Sequence, residues 1–305
     1  MINSIKIKDF TTHKLKELFN VKIIGTDTSI FYLSRLSFAT NEMSNSLTYV
    51  VDKENFKFFL KSNFKILIIS QELLDENNID SNCTYIVTNN PEKLFSEIIN
   101  YIFENNMYEK IDKSISPLSD IHESSFISDN VIIHKNVSIG KNCSIYENTI
   151  IDEGAVIGDN SVLGSPGLNI YINNENGNIF TESIGGVYIG KNVKVGNFTN
   201  INKGTAGRFT NIKDKTIIGS YVLLGHDVSI DQKSVVVDGS KLAGHVSIGK
   251  QVYIGINTTI LQNINVGDFS KTGIGTVVTK DIKKNSFVIG NPGRVLAWIL
   301  ILKTY

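Results

Sequence analysis

An aliphatic residue at every sixth position is the feature that most constrains how this chain can fold. One run of such residues covers positions 121–163 and a second covers 218–266, with a short phased segment at Ile189, Val195 and Ile201 between them. An α-helix repeats about every 3.6 residues and a simple strand about every two, so neither element explains this period. The period predicts a β-solenoid, in which short strands each send one side chain into a shared interior.

Small and turn-forming residues surround these aliphatic anchors. Gly often follows the anchor directly, and Gly158-Asp159-Asn160 is one of several segments whose residues tolerate the positive φ of a tight corner. Three hexads close one triangular coil, so each anchor stacks on equivalent anchors of the neighbouring coils. The spacing of six fails at residues 164–188 and again at 202–217, which predicts two loops that interrupt the coil.

The region before residue 114 contains no hexads and predicts a different kind of domain. A helical pattern follows Thr11 and Thr12, strands are expected at 47–51, 65–70 and 84–88, and residues 91–105 repeat apolar side chains at helical spacing. We therefore predict an α/β module at residues 1–113, a β-solenoid at 114–285 and a short C-terminal cap at 286–305. A cap is expected because the last coil of a solenoid must be covered.

Charge and composition narrow the partners and the location. Thirty basic and thirty acidic residues cancel, which gives no electrostatic reason to expect nucleic acid or an anionic membrane as partner. Cys83 and Cys143 form neither a disulfide framework nor a CxxC metal pair, and HExxH and clustered carboxylates are absent from the sequence, so no metal is expected. With no secretory signal and an apolar run at 295–302 too short for an integral membrane segment, we expect a cytoplasmic protein.

Motifs in the N-terminal region, at the interruptions and after them carry a family resemblance. They are SLTYVVD at 46–52, GSPGL at 164–168 followed by Tyr171, IGGVYIG at 184–190, TNINKG at 199–204, TIIG at 216–219 and LLGHDV at 223–228. Together they resemble the hexapeptide-repeat acyltransferases. The resemblance is strongest to the UDP-3-O-acylglucosamine N-acyltransferases, which take part in the synthesis of lipid A for lipopolysaccharide. The resemblance implies a left-handed parallel β-helix, a homotrimer, and transfer of an acyl group from a thioester to the amine of a nucleotide-linked amino sugar.

The same resemblance assigns roles to individual residues. His226 stands where the family has its catalytic histidine, and the ordinary pKa of histidine suits a general base that works by direct attack near neutral pH. Asp52, Phe56, Asn202 and Tyr171 are implied to contact the sugar nucleotide. Phe56 stands for the family's uracil-stacking tyrosine, and Asn202 stands for an aspartate.

Four further residues, all of which follow His226 in the chain, are candidates for supporting roles. Gly244 could offer a backbone N–H to an oxyanion. Asn263 occupies the place of the family's second histidine and could donate a hydrogen bond. His245 could contact the thioester, although an ordinary surface histidine accounts for it better. Asp227 is as well explained by a solvated turn acid, because neighbouring residues on a strand point to opposite sides.

The end of the chain leaves the acyl donor open. Residues 286–295, SFVIGNPGRV, resemble the ending of coenzyme-A-dependent sugar acetyltransferases, where the lipid A family has an extended helix that engages acyl carrier protein. Arg294 could bind a phosphate of coenzyme A or be an ordinary surface charge. No bound cofactor is expected, and the co-substrate is acyl carrier protein or coenzyme A carrying the acyl group. The alternatives are an N-acyltransferase for O-antigen or capsule sugars and a non-catalytic scaffold or sugar-nucleotide binder.

Overall fold

The computed structural model describes residues 4–34, 45–75, 79–172 and 177–296, which fold into two compact units. Unit 1 consists of Met1–Glu109, Leu168–Gly185 and Thr205–Arg208, and unit 2 of Lys110–Gly167, Gly186–Gly204 and Phe209–Tyr305. The two short stretches of unit 1 lie where the hexad spacing fails. The sequence had placed them as loops of the solenoid domain, whereas the structure groups them with the N-terminal module.

Unit 1 contains a five-stranded sheet with four helices. In chain order its elements are α1 Thr12–Phe19, β1 Lys22–Ile24, β2 Tyr32–Leu33, β3 Ser46–Tyr49, α2 Lys53–Leu60, β4 Ile66–Ile69, α3 Gln71–Asp75, β5 Thr84–Val87 and α4 Pro91–Glu104. The spatial order is β1-β5-β4-β3-β2, with β1 antiparallel to β5 and the other neighbours parallel. The α/β fold predicted for this region is therefore confirmed.

Side-chain caps fix where the helices of unit 1 begin. Thr11, Asp52 and Asn90 each accept a hydrogen bond from the backbone N–H three residues later, in α1, α2 and α4 respectively. Such caps satisfy donors that the first helical turn leaves without partners. Pro91 then opens α4, where its missing N–H costs no helical hydrogen bond.

A small hairpin completes unit 1. Its strands, Ile170–Tyr171 and Ile179–Phe180, pair in antiparallel fashion. Asn100 of α4 donates from Nδ2 to the Phe180 carbonyl at 2.8 Å and accepts at Oδ1 from the Glu182 N–H at 2.8 Å. One amide side chain therefore ties the hairpin to the helix.

Unit 2 is a parallel β-helix of three sheets. Sheet I contains Asp120–Ile121, Ser138–Ile139, Val156–Ile157, Lys194–Val195, Ile217–Ile218, Val235–Val236, Tyr253–Ile254, Lys271–Thr272, Phe287–Ile289 and Arg294–Leu296. Sheet II contains Phe126–Ile127, Ser144–Ile145, Val162–Ser165, Asn200–Asn202, Leu223–Leu224, Lys241–Leu242, Thr259–Ile260 and Val277–Val278. Sheet III contains Ser114–Ile115, Val131–Ile133, Thr149–Ile151, Gly186–Ile189, Phe209–Ile212, Ser229–Ile230, Ser247–Ile248 and Asn265–Val266. The predicted β-helix is confirmed.

The register of these strands accounts for the period of six. In regular coils an anchor pairs with the anchor 18 residues later, as Leu224 does with Leu242. Across the first interruption the separation is 38 residues, and across the second it is 23. The anchors fill one continuous core, in which burying each aliphatic side chain contributes about 1.5–3 kcal/mol.

The second interruption is shorter than the sequence predicted. Ile212 is fully buried and pairs with Ile189 in one coil and Ile230 in the next. It is therefore an anchor, and the predicted loop at 202–217 is wrong over the strand Phe209–Ile212. The physical reason is that this interruption is short. Only Thr205–Arg208 belongs to unit 1, and the coil of unit 2 resumes directly after it.

The end of the described chain forms a hairpin on sheet I. Arg294–Leu296 runs antiparallel to Phe287–Ile289, which itself pairs with Lys271–Thr272. Residues 297–305 of the predicted cap lie outside the described residues. Among the helices that the structure does describe, none has the length and apolar character needed to cross a bilayer.

Candidate functional site

The corner between sheet II and sheet III brings the main candidates together. Asp227, His245 and Asn263 occupy the same corner position in successive coils, and all three have a left-handed backbone, with φ of 59°, 61° and 63°. Asp, His and Asn tolerate this conformation better than most residues. The corner repeat thus stacks a carboxylate, an imidazole and an amide along one edge of the β-helix.

His226 is hydrogen-bonded to the residue that follows it. Its Nδ1 lies 2.9 Å from Oδ2 of Asp227, and the side chains are 12% and 1% exposed. An ionised carboxylate only accepts hydrogen bonds, so a neutral imidazole bonded to it through Nδ1 has its hydrogen on Nδ1 and its lone pair on Nε2. The hydrogen bond fixes the orientation of the imidazole ring.

The sequence did not predict the contact between His226 and Asp227. The alternation of side chains along a strand applies to strand residues, but Asp227 lies in the corner after Leu223–Leu224 and has a positive φ. The left-handed turn brings its carboxylate back towards the preceding ring. The view of Asp227 as a solvated acid is wrong, because the side chain is buried.

His245 lies beside this pair in the next coil. Its backbone N–H donates to the His226 carbonyl at 2.9 Å, and the two rings meet edge to face with centroids 4.8 Å apart. Its Nδ1 is 3.9 Å from Asp227 Oδ2, and the side chain is 6% exposed. The expectation of a surface histidine is therefore wrong, while the alternative of a supporting residue near His226 fits its place in the structure.

Gly244 leaves the space that the His226 ring occupies. A Cβ added at Gly244 would lie 2.5 Å from His226 Nε2, closer than real contacts allow. Within the described ranges, the Gly244 N–H donates no backbone hydrogen bond, while its carbonyl accepts from Asn263 at 3.1 Å. The Gly244 N–H therefore stays a candidate oxyanion donor.

The first interruption supplies another wall of the site. A Cβ added at Gly167 would lie 3.1 Å from Cβ and Cδ2 of His226, so the GSPG segment packs directly on the imidazole. Asn202, predicted to contact the sugar nucleotide, is 8% exposed and donates from Nδ2 to oxygens of this segment, including Ser165 Oγ at 3.0 Å. Its amide nitrogen is therefore engaged within the protein.

One group of side chains in the described residues has the spacing of a metal site. Ligand atoms of His226, Asp227 and His245 all lie within 4.8 Å of one another. The hydrogen bond between His226 and Asp227 accounts for the closest of these contacts. Donors of this kind bind transition metals, a possibility that the sequence did not indicate.

The candidate nucleotide contacts in unit 1 have different environments. Tyr171 lines a cavity of about 50 Å³ together with Tyr49, Glu92 and Phe95, and its hydroxyl is hydrogen-bonded by Asn90. The sequence missed Tyr49 and Phe95, although an aromatic side chain at the end of the SLTY strand was a usable signal. Their rings are 5.0 Å apart, centroid to centroid.

Phe56 and Asp52, two other predicted contacts of unit 1, differ in their exposure. Phe56 is completely buried and its ring stacks on that of Phe59, so neither face of the Phe56 ring is open to a nucleotide base. The predicted stacking role of Phe56 is wrong, because the helix α2 turns this side chain into the core. Asp52 is exposed and caps α2 through the Asn55 N–H at 2.8 Å.

A buried lysine directly follows Asn202 in the chain. Lys203 Nζ is 3.3 Å from Glu147, and Lys110 Nζ contacts the same carboxylate at 2.9 Å. Burial raises the pKa of Glu147, but the hydrogen bond from Lys110 and the charge of Lys203 outweigh it, so the pKa lies below its usual value. Arg294, in contrast, is exposed in the terminal hairpin of sheet I.

Comparison with known proteins identifies the repeat. Residues 130–165 match the family model described as bacterial transferase hexapeptide (six repeats). None of the curated proteins matches the chain. The match confirms the interpretation of the hexads as hexapeptide repeats, of a kind described for bacterial transferases.

Solved structures of acyltransferases are similar to parts of the chain. UDP-N-acetylglucosamine acyltransferase from Campylobacter jejuni is 27% identical, with 60% of this chain and 74% of that chain covered and a TM-score of 0.41. The Francisella novicida enzyme is also 27% identical, with 60% and 69% covered and a TM-score of 0.41. A mutant of perosamine N-acetyltransferase from Caulobacter crescentus, in complex with CoA and GDP-perosamine, is 13% identical, with 81% and 76% covered and a TM-score of 0.21. Within residues 130–165, this chain is similar to the bacterial transferase hexapeptide repeat.

Proposed function

We propose that this protein is an N-acyltransferase that moves an acyl group from a thioester to the amine of a nucleotide-linked amino sugar, with His226 as general base. The observation that carries the proposal is the hydrogen bond of 2.9 Å from His226 to the buried Asp227. It holds the ring in the tautomer whose Nε2 can accept a proton. The hexapeptide repeat supplies the transferase class.

The reaction follows from three groups of unit 2. The sugar amine attacks the thioester carbonyl while His226 Nε2 removes one of its protons, and Asp227 stabilises the imidazolium that forms. The Gly244 N–H hydrogen-bonds the carbonyl oxygen as negative charge develops on it. The C–S bond then breaks, and the departing thiolate takes the proton from His226, so an amide and a thiol are the products.

Unit 1 is the proposed recognition module for the nucleotide. The cavity lined by Tyr49, Phe95 and Tyr171 is about 50 Å³, well below the roughly 300 Å³ of a whole ligand pocket, so it would hold only part of a base or sugar against its aromatic walls and the Glu92 carboxylate. Asp52 remains a candidate contact for the nucleotide because this residue is exposed. A UDP-linked sugar is the proposed acceptor, on the resemblance of SLTYVVD at 46–52.

The donor and the assembly are proposed from the sequence resemblance. The donor is an acyl group on acyl carrier protein or coenzyme A, with Arg294 as the proposed phosphate contact in the second case. A cytoplasmic homotrimer is proposed because a triangular coil offers flat faces and leaves the acyl donor to be held between subunits. Light scattering of the full chain tests this, and a monomer of 33.8 kDa would contradict it.

Thiol release tests the reaction and separates the alternatives. Purified protein is mixed with a UDP-linked amino sugar and either acetyl-coenzyme A or 3-hydroxyacyl carrier protein, and free thiol and N-acylated sugar are measured. Product from the carrier protein alone supports a role in lipid A synthesis, and product from coenzyme A supports decoration of O-antigen or capsule sugars. If the protein binds the UDP-sugar but turns over neither donor, the proposed enzymatic function is wrong and the protein is a sugar-nucleotide binder.

A further inference from the structure

A chain of contacts links Asn202 to the ring of His226 through the first interruption of the β-helix. The connection runs through Ser165, Pro166 and Gly167, all of which belong to unit 2. Sheet II carries both ends of it, because Val162–Ser165 pairs with Asn200–Asn202. The pairing shifts register between Leu163 and Ser165, where Gly164 has a φ of +85°.

The Asn202 amide holds the segment that follows this bulge. Nδ2 lies 3.0 Å from Ser165 Oγ, 3.3 Å from the Pro166 carbonyl, 3.4 Å from the Ser165 carbonyl and 3.2 Å from Asn200 Oδ1. An amide nitrogen has two hydrogens, so these four oxygens share them. Three of the oxygens are carbonyl or amide acceptors that cannot donate a hydrogen bond. The side chain at position 202 must therefore supply the donor.

The held segment lies on His226. Gly167 follows Pro166 directly, and a Cβ at Gly167 would be 3.1 Å from two atoms of the His226 side chain. Pro166 restricts the backbone between the anchored carbonyls and this contact. A displacement of the 165–167 segment would therefore change the space that the imidazole occupies.

We infer that Asn202 is a positioning residue, which fixes His226 by holding the Ser165–Gly167 segment against its ring. The inference rests on the proposed function for its kinetic consequence, but the structural link stands on the contacts above. The residue type matters, because an aspartate here would place a negative charge against the Ser165 and Pro166 carbonyls. Asparagine supplies the donor without that repulsion.

Three variants separate positioning from general stability. Asn202→Asp removes the donor and adds repulsion, and Asn202→Ala removes the donor without adding charge. Asn200→Asp is the matched control, because Asn200 Oδ1 only accepts in this network, from Ser165 Oγ at 3.1 Å and from Asn202. Thermal unfolding of each variant shows whether it is folded.

The first readout is steady-state kinetics. We expect kcat of Asn202→Asp and Asn202→Ala to fall on the order of 10–10²-fold, with KM changed less than about threefold, because a base displaced by a fraction of an ångström is less effective. Asn200→Asp should stay within about threefold of the wild type in kcat. Unchanged kcat in both Asn202 variants would overturn the inference.

The second readout does not depend on activity. The chain has five histidines, so ¹³C-labelled histidine gives a spectrum in which the His226 signal can be assigned with His226→Gln. We expect the His226 signal to move in both Asn202 variants and in Gly167→Ala, but not in Asn200→Asp. If the wild type turns over no donor while the signal moves as expected, the proposed function fails and the positioning stands. An unmoved His226 signal in folded Asn202 variants contradicts the inference.

Discussion

Oδ2 of Asp227 lies 2.9 Å from Nδ1 of His226, although the two residues are neighbours in the chain. The left-handed backbone at Asp227 makes this contact, and the same backbone recurs at His245 in the next coil. A corner of the β-helix therefore brings together the proposed base and the carboxylate that orients its ring, although the two residues are adjacent in the chain.

Replacing the carboxylate tests its role. Asp227→Asn should lower kcat by about 10²-fold or more, because a neutral amide neither stabilises the imidazolium nor fixes the tautomer. Asp129→Asn is the control, since Asp129 is 93% exposed and pairs only with the surface residue Lys113 among the described ion pairs. Steady-state thiol release measures both variants, and equal kcat values for the two would contradict the role of Asp227.

Adding one methyl group at Gly244 tests the space beside the base. A Cβ there would lie 2.5 Å from His226 Nε2, so Gly244→Ala must displace the imidazole. We expect kcat to fall by about 10²-fold, since a displaced base and donor lose their alignment with the reacting atoms. Thermal unfolding should show a folded protein, and full activity in that protein would disprove the close packing.

A pair of isoleucines tests the second interruption. Ile212 is fully buried and Ile217 is 46% exposed, although both lie in strands of neighbouring hexads. Ile212→Ala should lower the free energy of unfolding by about 2–5 kcal/mol, as expected for a buried aliphatic side chain. Ile217→Ala should cost less than about 1 kcal/mol. Urea unfolding measures both, and similar small effects would show that Ile212 is not an anchor.

The carboxylate of Glu147 should make stability depend on pH. Its pKa is lowered in the folded protein by Lys110 and Lys203, against the opposing effect of burial. A lowered pKa means that Glu147 contributes stability above the ordinary value of 4.5, and that this contribution is lost as the pH falls through the lower, folded value. Urea unfolding between pH 3 and pH 7 should therefore show a smaller pH dependence in Glu147→Gln than in the wild type. Identical pH profiles would contradict the ion cluster.

The β-helix could be predicted because its physics is periodic. Every coil buries equivalent side chains, so the anchors from Ile121 to Val266 repeat in the sequence as they do in the core. Ile212 is also in phase with Ile218 and Leu224. It was not predicted as an anchor, because one aliphatic residue beside a loop is too weak a signal to extend the repeat. The predicted His226 rested on motif resemblance, which identifies a position but not its neighbours.

Other parts of the structure depend on contacts that no local pattern contains. Asn100 binds Phe180 and Glu182, about eighty residues later in the chain, and so brings the hairpin into unit 1. Asp227 and His245 face the site because of a corner conformation, whereas the sequence had been interpreted with the alternation of strands. Phe56 was placed by motif alignment, and only the packing of α2 shows that the ring is buried.

The activity of His226→Ala tests the central claim most directly. With a thioester donor and an amino-sugar acceptor that the wild type turns over, we expect kcat to fall by about 10²–10⁴-fold, the usual contribution of a general base. His134→Ala, which changes an exposed histidine in an early coil, should keep the wild-type rate. Activity of His226→Ala within a factor of about ten of the wild type would contradict His226 as the base.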